Sequence, residues 1–160
     1  SNFLDEIGYE EKKIVEAGLR GELDETERPT DIWDVELPPE TLPEEFGFRL
    51  PDGIRVSCWY NLTLFWKEYF DINVRCENEN KEIAIDFDIC DLELHGNPVF
   101  SDIEEKVKIN DEITVSYFKN ISCWFWRDDR YEYTIYLRIN GKGVTHEQIF
   151  DMIREYYGVK

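Results

Sequence analysis

Two segments in the second half of the chain alternate apolar and polar residues one by one, and this alternation is the strongest constraint on the fold. The odd-numbered positions of residues 82–90 are isoleucine or phenylalanine, and those of residues 131–139 are tyrosine, isoleucine or leucine. Successive side chains of a β-strand point to opposite faces of its sheet, so both segments predict strands with one buried face. Asp86 and Asp88 lie on the polar face of the first segment.

Other segments are rich in aromatic and β-branched residues and also predict strands: 54–60, 62–66, 72–77, 112–118 and 121–127. The residues from Leu62 to Phe70 are equally compatible with a short helix. Turn-forming sequences separate several of the strands, namely Asn78-Glu79-Asn80-Lys81, Lys119-Asn120 and Asp128-Asp129. The last three strands therefore predict a meander, preceded by a polar stretch that reaches to about residue 111.

The end of the chain carries the clearest helix signal. Thr145 and Gln148 have the spacing of a capping box, in which each side chain binds the backbone of the other residue. Apolar residues then recur at helical spacing, and Gly158 follows as a stop signal. This helix at 145–157 and the strands predict an α+β fold: an antiparallel sheet of about five to seven strands, with a meander in its C-terminal half, packed against the helix.

The first 52 residues differ in composition from the rest of the chain. They hold five of the six prolines and 16 acidic against 5 basic residues, whereas residues 53–160 hold 20 acidic and 13 basic residues. An apolar stripe predicts a helix over residues 3–19, and alternation from Trp33 to Leu37 predicts a short edge strand ended by two prolines. We expect a single domain, in which residues 1–52 form a helix and a proline-punctuated arm that lies on a body formed by residues 53–160.

Charge and composition exclude several classes of protein. The chain has 160 residues and a formal net charge of −18, with 42% hydrophobic and 15% aromatic residues. A disordered acidic chain is poor in aromatic residues, so this composition predicts a globular domain. No apolar run approaches the roughly 18 residues of a membrane span. An acidic surface repels phosphate groups, so we expect neither direct nucleic-acid binding nor membrane binding.

Metal and cofactor sites find little support in the sequence. The four cysteines are separated by 18, 14 and 33 residues, and none has the spacing of a zinc knuckle. We expect buried, reduced thiols and a cytoplasmic location. Adjacent carboxylates such as Asp86 and Asp88 can hold Mg²⁺, but this spacing is common in so acidic a chain. A solvated sheet face explains it as well, and we predict no metal and no cofactor.

Catalytic residues are not predicted either. His95 follows a strand and His146 begins the last helix, and neither is close in sequence to an obvious serine or cysteine nucleophile. Glu104-Glu105-Lys106 contains the E-x-K spacing of some nucleases, but it lies in a polar stretch and predicts a surface loop or a helix end. No phosphate-binding glycine loop is present.

The acidic excess and the surplus of tryptophan and tyrosine together predict a protein that binds and neutralises a basic partner. Basic partners of this kind include nucleases, so the chain resembles bacterial immunity proteins in size and charge, although no motif identifies a family. We expect an inhibitor: an immunity protein for a nuclease-type toxin, or a nucleic-acid mimic. The candidate contact residues are Glu22, Asp24, Glu25, Glu27, Trp33, Asp86, Asp88, Asp128 and Asp129.

Two alternatives remain open at this point. The first is a small-ligand protein or enzyme with an aromatic-lined pocket that has Asp86 and Asp88 at its rim. The second is an acidic surface that serves solubility alone. A continuous acidic surface favours the inhibitor, whereas a concave aromatic cavity with convergent polar groups favours the ligand-binding protein.

Overall fold

The structure is a computed structural model, and it describes residues 32–42, 46–65, 69–94, 103–139 and 143–160. Within these ranges, eight strands form one antiparallel sheet and one α-helix follows the last strand, which confirms the predicted fold class. The sheet has more strands than the five to seven predicted. The elements are β1 (Ile32–Leu37), β2 (Arg55–Phe65), β3 (Tyr69–Glu77), β4 (Ile83–Asp91), β5 (Glu105–Lys108), β6 (Thr114–Phe118), β7 (Cys123–Arg127), β8 (Tyr131–Ile139) and α1 (His146–Tyr156).

The sheet consists of two four-stranded meanders joined side by side. Its strand order is β1-β2-β3-β4-β8-β7-β6-β5, so the two most clearly alternating segments, β4 and β8, pair at its centre. Their register runs from Ile83 opposite Ile139 to Asp91 opposite Tyr131. A central strand is flanked on both sides, and one of its faces is covered by the helix layer. This position explains why β4 and β8 carry the strongest pattern in the sequence.

The helix α1 covers the apolar face of the sheet. Its capping box is formed as predicted, because Thr145 accepts a hydrogen bond from the backbone of Gln148 and the Gln148 side chain accepts one from the backbone of Thr145. Phe150 packs edge-on against Tyr117 and Trp124 at centroid distances of 4.9 and 6.0 Å. An isolated helix of 11 residues is marginal in water, so this burial stabilises it.

An extended segment over residues 46–50 adds to the same apolar layer. The Phe48 ring stacks on Tyr156 at 4.2 Å and lies 5.0 Å from Phe87, which Phe46 approaches to 4.9 Å. This part of the predicted arm therefore contacts both the sheet and α1. The predicted helix at 3–19 lies outside the described residues, and the division into an arm and a body stays a prediction.

Three local predictions are corrected by the structure. The strand β2 runs without a break from Arg55 to Phe65, with a register shift between Val56 and Tyr60, instead of ending near residue 60. Residues 69 and 70 begin β3, so no helix extends from residue 62 to residue 70. The β6–β7 connection is a 3-10 turn over Lys119–Ile121 rather than a two-residue turn.

The E-x-K segment is also not the predicted surface loop or helix end. Glu105 begins β5, which pairs with β6 and forms one edge of the sheet. This strand is short and mostly exposed, and only Val107 is apolar. Charged residues on a short edge strand discourage pairing with other chains, and they also erase the alternation by which a strand is recognised in the sequence. No helix in the described ranges is both long and apolar enough to cross a membrane.

Candidate functional site

The face of the sheet opposite α1 collects acidic side chains from four strands. Cross-strand pairing places Asp71 beside Cys90 and Asn73 beside Asp88, and these rows of paired residues continue to β1 on one side and to β8 on the other. Residues that pair directly across two strands share a face. We call this surface the acidic face; its carboxyl-bearing residues are Asp34, Glu36, Asp71, Glu77, Asp86, Asp88 and Glu132.

Asp71 is a half-buried carboxyl group of this surface whose pKa is strongly raised. Burial, a hydrogen bond with the side chain of Asp88 and the charges of nearby carboxylates raise the pKa of Asp71 to about 9. Its Oδ1 atom has no hydrogen-bond partner in the part of the chain that the structure describes. At neutral pH Asp71 is therefore a neutral acid beside Asp88, because two adjacent carboxylates repel each other.

Arginine side chains neutralise two other carboxylates of the acidic face. Asp86 accepts hydrogen bonds from Arg75 at 2.8 and 3.1 Å, and Arg138 lies 3.3 Å from its second oxygen. Glu132, which is only 3% exposed, pairs with Arg127 at 2.9 Å. Hydrogen-bonded arginines compensate the cost of burying a carboxylate, so these two residues serve the fold.

The edge strand β1 carries acidic side chains that are not neutralised in this way. Asp34 and Glu36 are exposed and form no ion pair within the described ranges; Asp34 accepts a hydrogen bond from Thr63 at 2.6 Å. They line a shallow groove of about 480 Å³ across β1, β2 and β3. We call it the β1 groove; its lining residues are Asp34, Glu36, Asn61, Thr63 and Asn73.

The structure brings together only some of the residues predicted from the sequence. Asp86 and Asp88 lie on the acidic face, and Trp33 lies in β1 next to Asp34, although its side chain is outside the description. Glu22, Asp24, Glu25 and Glu27 are outside the described residues. Asp128 and Asp129 are not part of the acidic face, because they lie in the turn between β7 and β8.

Asp128 is tied into the fold by four hydrogen bonds. Its Oδ1 accepts from the backbone of Arg130 and Tyr131, and its Oδ2 accepts from the hydroxyl groups of Tyr133 and Tyr157. Since Tyr157 follows α1 directly, this side chain points to the helix side of the sheet. The turn also borders a cleft of about 690 Å³ whose lining mixes both charges: Asn110, Glu112, Arg127, Asp128, Asp129 and Arg130.

Sequence reasoning missed Asp34, Glu36 and Asp71 as parts of one surface. A signal for the first two was present, because the predicted edge strand from Trp33 to Leu37 places its even-numbered residues together on the other face. Asp71 had no such signal, since it lies between the segment from Leu62 to Phe70, for which strand and helix were both open, and the strand predicted from residue 72. The pairing of β3 with β4, which the sequence does not state, brings Asp71 to Asp88.

His146 has neighbours that the sequence does not reveal. Its Nε2 lies 2.9 Å from the hydroxyl oxygen of Ser122, and its Nδ1 is hydrogen-bonded to the hydroxyl group of Tyr117. The expectation that no nucleophile lies beside this histidine rested on sequence neighbours alone and is wrong for its spatial neighbours. His95 lies outside the described residues.

The three cysteines whose side chains the structure describes offer no reactive thiolate. Cys76, Cys90 and Cys123 are free thiols. Burial raises the pKa of Cys76 to about 12 and that of Cys123 to about 11, and it raises the pKa of Cys90 further. A thiol that stays protonated is a weak nucleophile and a poor metal ligand. Among the described residues, no group of three or more His, Cys, Asp or Glu side chains is arranged to hold a metal ion.

Comparison with known proteins gives no further guide to the function of this chain. No family model matches the sequence, and no curated protein and no solved structure is significantly similar to it.

Proposed function

We propose that this protein binds a basic protein through its acidic face and thereby neutralises it. The partner class is a nuclease-type toxin or another enzyme that processes nucleic acid, since such proteins present clustered lysine and arginine. The chain then acts as an immunity protein or as a mimic of nucleic acid. The observation that carries the proposal is the β1 groove, in which Asp34 and Glu36 are exposed at a sheet edge without a cationic partner among the described residues.

The charge of the whole molecule supports a role in steering the encounter. A net charge of −18 on 160 residues attracts a basic protein over the distance of a Debye length and raises the association rate. Paired carboxylates such as Asp86 contribute less, because their arginines cancel their field. The strongest attraction is therefore expected toward the β1 groove.

An exposed aromatic residue beside the groove supplies a second element of binding. Trp59 is 56% exposed, and it lies in β2 two residues before Asn61, which lines the groove. Tryptophan is enriched among the residues that dominate interface energies. We infer that charge sets the association rate at this surface, whereas burial of Trp59 in the complex slows dissociation.

Asp71 links the proposed binding to proton release. It is a neutral acid in the free protein, and an arriving lysine or arginine favours its ionised form. Complex formation near Asp71 should therefore release a proton into the solvent. Calorimetric titration in two buffers of different ionisation enthalpy measures this release, and equal heats in both buffers would contradict the linkage.

The experiment that tests the proposal begins with affinity capture from the source cell at about 50 mM and about 500 mM salt, roughly a threefold change in Debye length. The captured protein is then used for binding kinetics and for an assay of its own activity. We expect a basic partner whose activity is inhibited and whose association slows at high salt. An acidic partner, a nucleic acid or an association rate that ignores salt would overturn the proposal.

Matched variants separate local from overall charge. Asp34→Lys with Glu36→Lys should slow association about 10-fold at low salt and flatten its salt dependence. Glu79→Lys with Glu82→Lys changes the net charge equally, but these exposed residues flank the β3–β4 turn away from the groove, so a smaller effect is expected. Trp59→Ala should mainly accelerate dissociation.

The alternative of a ligand pocket with Asp86 and Asp88 at its rim has weaker support. Both oxygens of Asp86 are engaged by arginines. The largest cleft described above is lined by the β7–β8 turn, by the residues that precede β6 and by Tyr157, and neither Asp86 nor Asp88 borders it.

A further inference from the structure

Ser122, His146 and Tyr117 form a hydrogen-bonded series at the junction of the β6–β7 turn and α1. Ser122 Oγ lies 2.9 Å from His146 Nε2, and Tyr117 bonds the opposite ring nitrogen. A hydroxyl nucleophile beside a base that is held by a third group is the geometry of activated serines. The proposed inhibitor function makes no use of these three residues.

The backbone holds Ser122 in a conformation that L-residues rarely adopt. Its φ of 50° and ψ of 55° are left-handed, which costs on the order of 1 kcal/mol for a residue other than glycine. Two hydrogen bonds fix it there: its backbone N–H donates to Lys119, and its carbonyl accepts from Leu137. Strain of this kind is common where a turn must present one side chain in a fixed direction. Ser122 and His146 are both only half-buried, so neither residue is enclosed in the core.

The surroundings of His146 favour the neutral form of its ring. Burial and the positive charge of Lys119 lower the pKa of His146. Burial and the charges of Glu105 and Glu147 raise the pKa of Tyr117, so this residue stays a phenol. A neutral imidazole beside a protonated phenol is ready to accept a proton from Ser122.

We propose that Ser122 is a nucleophile, that His146 is its general base, and that this pair cleaves small uncharged carboxylic esters. The competent tautomer carries its proton on Nδ1, which donates to the phenol oxygen of Tyr117, and Nε2 accepts the Ser122 proton. Tyr117 touches no substrate and is a positioning residue.

The reaction proceeds through an acyl-serine. Ser122 Oγ bonds to the ester carbonyl carbon as its proton moves to His146 Nε2, and the bond from that carbon to the alcohol oxygen breaks while His146 returns the proton to the leaving alcohol. Water then attacks the acyl-serine, His146 takes a proton from the water, and Ser122 Oγ recovers it as the carboxylic acid leaves. The balanced products are one acid and one alcohol.

A purely mechanical role is the competing explanation. In that case the three side chains only hold the start of α1 to the β6–β7 turn, and Ser122 has ordinary reactivity. Stability measurements do not separate the two roles, since both predict destabilised variants. Chemical reactivity at Ser122 does separate them.

The experiment treats the wild-type protein with a fluorophosphonate ester and maps the modified residue by mass spectrometry. Ser57 is the internal control, because it is half-buried as well but its hydroxyl bonds a backbone carbonyl, that of Trp59. We expect labelling of Ser122 in the folded protein, loss of labelling in urea, and little labelling of Ser57. No labelling at Ser122, or equal labelling of Ser57, would overturn the proposal without any variant.

Variants and pH then test the roles. His146→Gln, checked for folding by its thermal midpoint, should slow labelling about 100-fold. Tyr117→Phe keeps the ring against Phe150 and removes only the hydroxyl, so it should slow labelling less and shift the pH profile. The labelling rate of the wild-type protein should fall only at a pH below the usual range of histidine pKa values. Labelling of His146→Gln at the wild-type rate, or a labelling rate independent of pH, contradicts the assignment of the base.

Hydrolysis of p-nitrophenyl acetate tests ester cleavage itself. We expect the wild-type protein to hydrolyse this ester and Ser122→Ala to have lost the activity. Hydrolysis that is unchanged in Ser122→Ala rejects the proposal.

Discussion

At the residue scale, one carboxylate, Asp128, joins the β7–β8 turn to the residues that follow α1. Replacing it with alanine removes four hydrogen bonds, two to backbone N–H groups and two to tyrosine hydroxyls. We expect Asp128→Ala to lower the free energy of unfolding by about 2–4 kcal/mol, since half-buried donors lose a charged acceptor. Urea denaturation measures this loss.

The neighbouring Asp129 provides the matched control for this prediction. It is exposed, and Asp129→Ala should change the free energy of unfolding by less than about 0.5 kcal/mol. Equal losses in the two variants would show that the turn, and not the hydrogen bonds of Asp128, sets the stability. Both residues are candidate partner contacts by sequence; only Asp129 can be tested for binding without disturbing the fold.

Asp71 makes stability depend on pH in a direction opposite to that of most carboxylates. Its pKa is raised to about 9 in the folded protein, whereas the unfolded chain ionises it in the ordinary acidic range. At pH values between these two pKa values, the folded state therefore binds more protons than the unfolded state. The free energy of unfolding then falls as the pH rises through this window. Asp71→Asn removes the titration and imitates the protonated acid. Each pH unit in this window contributes about 1.4 kcal/mol, so we expect the variant to gain up to about 4 kcal/mol relative to the wild type between about pH 5 and about pH 8.

Thermal denaturation at both pH values measures the effect of Asp71. Asp52→Asn serves as a control, because it removes an exposed carboxyl group from a surface turn that lies beside α1. A difference between Asp71→Asn and the wild type that does not change with pH would contradict the raised pKa.

At the element scale, α1 depends on its first turn as well as on burial. Thr145 accepts a hydrogen bond from Gln148 N at 3.1 Å, and Gln148 Oε1 accepts one from Thr145 N at 2.8 Å. Thr145→Ala should lower the free energy of unfolding by about 1 kcal/mol, and Thr145→Ser, which keeps the hydroxyl, should restore most of it. Chemical denaturation of the two variants measures these changes. Equal losses of unfolding free energy in both would mean that the cap does not stabilise the helix.

Elements also differ in how far the sequence reveals them. The strands β4 and β8 and the helix α1 each carry a full pattern of their own, so they were predicted without knowledge of their neighbours. The strand β5 has the sequence Glu-Lys-Val-Lys and is a strand only because β6 pairs with it. The candidate sites differ in the same way. Local alternation in the sequence places Asp86 and Asp88 on one face, whereas Ser122 and His146 are 24 residues apart and meet only through tertiary packing.

At the scale of the whole molecule, the two meanders meet at β4 and β8 and leave β1 and β5 as the edges of the sheet. The two edges differ in charge. On β5, Lys106 and Lys108 pair with Glu104 and Asp111, whereas the acidic residues of β1 form no ion pair within the described ranges. The mixed charges of the short strand β5 discourage pairing with other chains, whereas uncompensated negative charge on β1 favours basic partners. Under the proposed function, this asymmetry makes β1 the edge at which a basic partner is expected to bind.

The same excess of negative charge should make the fold more stable in salt. Folding brings the carboxylates closer together than they are in the unfolded chain, and self-repulsion in a molecule of net charge −18 opposes compaction. Raising sodium chloride from about 50 mM to about 500 mM shortens the Debye length roughly threefold, so the free energy of unfolding should rise by on the order of 1 kcal/mol. Urea denaturation at several salt concentrations measures this rise, and potassium chloride should act equally.

Two double lysine variants provide the control, one at Asp34 and Glu36 and the other at Glu79 and Glu82. Each changes the net charge from −18 to −14, so both should flatten the salt dependence of stability to a similar extent. A midpoint that stays constant or falls with salt would contradict global repulsion, and flattening by only one double variant would place the repulsion at that site.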